Sequence, residues 1–171
     1  NAELFSDVYV GRVEAPATGN LKLCVTADDN VKVTFAGNVV IDQANPSNNL
    51  CSAAIAVTEN GKYDIEVRHR EGTGVAYMRL GWSMTNAAGN SILDQEMIPS
   101  ARLLPPNGWA PPQHGLTVSY YDNQNFNATL GTNSKALAFT TIEPNVNLDW
   151  GTARPEFSDA MTDGEDWAAR F

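Results

Sequence analysis

Basic side chains are scarce in this 171-residue chain. Eleven Lys and Arg stand against twenty Asp and Glu, giving a net charge of −9 and a pI near 4.5. A phosphate-binding face needs clustered Lys and Arg, and the chain has no such cluster, so nucleic acid is not an expected partner. Long apolar runs are missing too. No stretch of eighteen apolar residues occurs, and no membrane span is expected. There is no signal-peptide pattern and residue 1 is Asn, which reads as a mature fragment or an excerpt of a longer chain. Helical periodicity is nearly absent. Histidine is limited to His69 and His114, in different segments and without Cys or acid at metal spacing, and both read as exposed loop residues. No serine lies in a Gly-x-Ser-x-Gly context.

What is present is alternation. An apolar content of 43% with 18% charged residues is that of a globular domain, and the length suits one domain with a substantial core. Leu21, Leu23 and Val25 alternate with Lys22, Cys24 and Thr26; Val31, Val33 and Phe35 repeat the pattern. So do Tyr63, Ile65 and Val67, and later Met78, Leu80 and Trp82. Turn signals punctuate these runs at Ala36-Gly-Asn38, Glu59-Asn-Gly61 and Glu71-Gly-Thr-Gly74. Many short strands at such spacing predict an all-β protein, an antiparallel sandwich or barrel.

The chain divides into residues 1–105, a proline-rich hinge over 106–115, and residues 116–171. Leu116–Tyr121 and Val146–Trp150 alternate again; the Asn- and Thr-rich stretch between them is poorly patterned. Trp82 and Trp150 lie in alternating strands and are candidate core. Trp109 sits among prolines as a candidate anchor onto a neighbour. Cys24 and Cys51 are the whole thiol inventory. An even pair in a β-rich chain points to one disulfide and an extracellular or cell-surface home, with two buried free thiols as the alternative. The acids Glu156, Asp159, Asp163, Glu165 and Asp166 read as a solvated loop, since nothing sets two of them across a cleft as a glycosidase requires. Asn127-Ala-Thr129 fits a glycosylation sequon.

Several stretches together resemble the PA14 (protective-antigen) domain family of lectin-like β-sandwiches. They are Gly11-Arg-Val-Glu-Ala-Pro, Val25-Thr-Ala-Asp-Asp-Asn30, Gly61-Lys-Tyr-Asp-Ile-Glu-Val67, Ala76-Tyr-Met-Arg-Leu-Gly-Trp82 and Gly115-Leu-Thr-Val-Ser-Tyr-Tyr-Asp122. The order departs from the family: the portion resembling its opening, 116–171, follows the portion resembling its remainder, 1–105. Trp167–Phe171 and Phe5–Val10 both resemble one strand. That duplication implies a permuted sandwich or one complemented by a neighbouring copy, with Phe5, Tyr9, Trp109, Trp167 and Phe171 as assembly residues.

The resemblance also implies a Ca²⁺ site. Adjacent Asp28 and Asp29 at a strand end are hard oxygen donors suited to that ion. The loop His69–Gly74 would add Glu71 and Thr73, and bound sugar hydroxyls would complete the shell, with Asp28, Asp29 and Arg70 facing the glycan. The loop lacks the Asn or Asp of the family pattern, and Arg68 and Arg70 oppose a cation. The expected function is a non-enzymatic extracellular adhesive or structural module whose partners are further copies of itself. The alternatives are a stand-alone Ca²⁺-dependent lectin or an accessory carbohydrate-binding domain of a secreted enzyme.

Overall fold

The computed structural model describes residues 5–106, 114–121 and 139–152. Its strands are β1 (Phe5–Glu14), β2 (Gly19–Asp28), β3 (Asn30–Phe35), β4 (Asn38–Gln43), β5 (Ser47–Cys51), β6 (Ile55–Val57), β7 (Lys62–Glu71), β8 (Ala76–Thr85), β9 (Ser91–Met97), β10 (Leu103–Leu104), β11 (Leu116–Tyr121), β12 (Phe139–Glu143) and β13 (Asn147–Gly151). They form two antiparallel sheets. The first runs β12-β11-β1-β7-β3-β4, with β10 also on β1; the second runs β13-β8-β2-β5, with β6 on β2 and β9 on β8.

Side-chain alternation decides the layering, because successive strand residues face opposite ways. In β2, Leu21, Leu23, Val25 and Ala27 are buried, which leaves Lys22, Cys24, Thr26 and Asp28 on the outer face. Opposite them in β8, Met78, Leu80, Trp82 and Met84 are buried, leaving Tyr77, Arg79, Gly81 and Ser83 outside. The first sheet answers with Tyr9 and Val13 from β1, Val31, Val33 and Phe35 from β3, Ile65 and Val67 from β7, and Leu116 and Val118 from β11. Each fully buried aliphatic side chain of this kind contributes about 1.5–3 kcal/mol. The β3–β4 hairpin turns on Ala36 and Gly37, both at positive φ (48° and 79°), the backbone of the tight turn that matches strand twist.

The closing strands pair within the chain. Ser6–Val10 of β1 pair with β11, Arg12 and Val13 pair with β10, and all of β1 pairs with β7. β13 pairs with β8. Phe5 and Tyr9, expected at an assembly interface, are instead fully buried. Both edges of β1 are already occupied, so it has no free edge to offer a second copy. Trp109, Trp167, Phe171, the sequon at Asn127 and the acidic run from Glu156 lie outside the described residues. No helix among the described residues is long and apolar enough to cross a membrane.

Candidate functional site

The chain crosses from the second sheet to the first at Asp29, between β2 and β3. Asp28 is the last residue of β2 and sits opposite Tyr77; Asn30 opens β3 opposite Arg70 of β7. The Asp28–Asp29 peptide is cis. Next to this crossover, β7 ends at Glu71, which is fully buried. One carboxylate oxygen each from Asp28, Asp29 and Glu71 lies within 4.8 Å of the others. The Gly72 N–H donates to Asp29 Oδ2 at 2.8 Å, tying the β7–β8 loop to the crossover.

The expected loop His69–Gly74 is shorter than the sequence indicates. His69, Arg70 and Glu71 belong to β7, and the connection to β8 is Gly72–Val75. Thr73 lies exposed in it. Alternation continues along β7, so His69 and Glu71 follow Ile65 and Val67 inward, whereas Arg68 and Arg70 face the outer side of the first sheet. Arg70 is therefore aimed to the opposite side of its strand from Glu71. Arg68 pairs with Glu66 at 2.6 Å.

His69 is not an exposed loop histidine. Its side chain is fully buried, because the apolar face of a strand continues through it. Its Nδ1 lies 2.8 Å from Asp7 Oδ1, and its Nε2 meets the Asp28 carbonyl. A carbonyl only accepts, so Nε2 donates, and with a carboxylate on Nδ1 both ring nitrogens carry protons. Burial works against that charge, but the Asp7 carboxylate, with the hydrogen bond to the Asp28 carbonyl and the Glu71 charge adding to it, raises the His69 pKa above its ordinary value. Asp7 sits in β1 with His69 on one side and Tyr120 of β11 on the other. The ring of Trp150 from β13 stacks on His69 at 5.8 Å between centroids and meets Phe5 edge-on at 5.1 Å. Trp82 is core as expected; Trp150 is half-buried above this histidine. His114 is exposed.

The Asp28 carboxyl is held above the usual range, first by burial and then by a hydrogen bond to Asp29 and that residue's charge, with His69 opposing. Crowded carboxylates that resist ionising together are the arrangement a cation relieves. The donor set is all oxygen, the hard ligand type that Ca²⁺ and Mg²⁺ take.

The PA14 domain model matches residues 2–96, more than half of the sequence. The chain belongs to the PA14 domain family. Its matched part takes in β1 and runs into β9, and β10–β13 lie beyond it. A solved anti-sigma factor domain-containing protein is similar at 27% identity over 81% of this chain and 44% of its own, with a TM-score of 0.53. A second such protein, from Clostridium clariflavum, matches at 19% identity with the same coverages and a TM-score of 0.49. The PA14 domain of the MpAFP antifreeze protein matches at 20% identity over 53% of this chain and 52% of its own, with a TM-score of 0.39. This chain thus spans less than half of the first two solved chains. No match was found among curated proteins.

Proposed function

We propose that this PA14 module is a non-enzymatic, calcium-dependent glycan-binding domain that works outside the cytoplasm, in adhesion to glycan-bearing surfaces. The observation that carries the reading is the gathering of Asp28, Asp29 and Glu71 carboxylates at the sheet crossover. These three residues would hold the ion, and Ca²⁺, which takes six to eight oxygen ligands, would leave positions for sugar hydroxyls. The Cys24–Cys51 disulfide supports an oxidising compartment.

The nearest thing to catalytic machinery among the described residues is the His69–Asp7 pair. Both side chains are fully buried, and the second ring nitrogen is committed to a backbone carbonyl, so the pair suits support of the site and not proton transfer to a substrate. Glycan binding is preferred over head-to-tail strand exchange because β1 is paired on both edges within its own chain.

Calorimetry with CaCl₂ is expected to show one site. Calcium at a hundred times its Kd should raise stability by about 2.7 kcal/mol, a melting shift of about 5–10 °C for a chain of this size. Asp29→Asn should abolish the shift, because it removes one of the three carboxylates gathered at the crossover. Printed glycans should be bound in calcium and released by chelator. An identical melting curve with calcium, with chelator and in Asp29→Asn would overturn the cation site; glycan binding that persists in chelator would overturn the mechanism.

A further inference from the structure

Asp28 is one end of a row. Along the outer face of the second sheet, Asp28, Thr26 and Cys24 of β2 stand opposite Tyr77, Arg79 and Gly81 of β8. At the Cys24 end this row opens into a cavity of about 250 Å³. Thr26, Asn49, Arg79, Gln95 and Glu96 line it, with Gly81 and the disulfide cysteine Cys24 beneath. Gly81 lets β9 lie close against β8: a Cβ there would meet the Glu96 carbonyl at 2.6 Å. The walls of the cavity are fixed. The disulfide ties β5 to β2, the Asn49 N–H donates to Thr26 Oγ1 at 3.0 Å, and Gln95 Nε2 donates to Asn49 Oδ1. Arg79 is steadied by Asp149 of β13 at 3.0 Å and lies over the Tyr77 ring.

We propose that this cavity is a second sugar subsite, so that the module binds an oligosaccharide lying along β2 and β8 from the carboxylate cluster to the disulfide. The inference rests on the glycan-binding reading above and extends it to ligand length. At about 3.3 Å per strand residue, the four steps from Asp28 to Cys24 cover about 13 Å, the span of a short oligosaccharide and too long for one sugar ring. The chemistry of the lining matches. A sugar offers hydroxyls that both donate and accept, and they are met by planar amides, a hydroxyl, a carboxylate and a guanidinium able to form paired hydrogen bonds. A bound peptide would want apolar pockets for its side chains, and Met97 is the only large apolar side chain lining this cavity among the described residues.

The test is an array of defined glycans of one to six units, in calcium, with wild type, Gln95→Ala and Gln95→Trp. Gln95 is exposed, so both variants should fold; the first removes an amide and the second fills the cavity. Wild type should bind glycans of three or more units at least about tenfold more tightly than the matching monosaccharide, the return of about 1.4 kcal/mol from added hydrogen bonds. Both variants should lose that gain while calcium binding by calorimetry and monosaccharide binding stay unchanged. Calcium-dependent binding that is independent of length, or a length gain that both variants keep, would overturn the second subsite and leave the carboxylate site standing. Absence of calcium-dependent binding to any glycan would overturn both.

Discussion

Replacing Asp7 with alanine is expected to cost about 3–5 kcal/mol of stability, because it strips the counter-charge from a buried imidazolium. Both Asp7 and His69 are fully buried, and Phe5 and Trp150 pack against the ring. Urea unfolding of the single variant measures the loss. Asp7→Leu combined with His69→Leu should recover most of it, since an apolar pair of similar volume avoids the desolvation cost of both ions. The pH dependence has a definite sign. The His69 pKa is raised in the fold above the unfolded value of 6.5, so the contribution of the pair is fully present below that value. It is lost as pH rises through the folded pKa. The wild-type melting temperature should therefore fall over that rise, and the double leucine variant should lack the fall. A single variant that loses less than about 1 kcal/mol would show that the pair behaves like a surface contact.

The sheets were legible from period-two alternation because their inner faces are almost purely apolar. Leu21, Leu23 and Val25, or Met78, Leu80 and Trp82, admit no other register without burying Lys22 or Arg79. The carboxylate pair at Asp28 and Asp29 was legible as chemistry, and its position at the crossover follows from β2 and β3 belonging to different sheets. What escaped was the buried Asp7–His69 pair beneath it; Glu71 is an expected ligand, but it comes from the inner face of β7 and not from a loop. His69 and Glu71 continue the alternation of Tyr63, Ile65 and Val67, and Asp7 sits between Phe5 and Tyr9 in the same way. A polar residue at an apolar position of a strand was the available signal, and it was masked because Glu71-Gly-Thr-Gly74 looks like the turn that ends the strand. The remaining partners, Tyr120 and Trp150, are contributed from about fifty to eighty residues away by β11 and β13. Long-range pairing of that kind is set by tertiary packing, which local pattern does not encode. The same limit explains Phe5 and Tyr9. Of the two segments resembling one strand, β1 is paired on both edges within its own chain, and Trp167–Phe171 lies outside the described residues.

Removing the disulfide should be the other costly change. Cys24 and Cys51 face each other across β2 and β5, with Cα atoms 4.0 Å apart and a sequence separation of 27. A cross-link over a loop of that length restricts the unfolded chain enough to stabilise the fold by about 3–4 kcal/mol. Cys24→Ala with Cys51→Ala should lower the melting temperature by about 6–16 °C. Alkylation followed by mass measurement, without reductant, should find no free thiol in the native protein. The location of β5 sharpens the expectation. It lies at an edge of the second sheet, has no fully buried residue, and pairs with β2 by a short ladder interrupted by a register shift. Without the cross-link, amides of residues 47–51 should exchange fastest, ahead of those in β2 and β8, because few buried contacts oppose local opening. The double variant should also lose the oligosaccharide length gain, since Asn49 of the proposed subsite rides on β5. Two alkylated thiols in native material, or a double variant that melts within about 2 °C of wild type, would sink the claim.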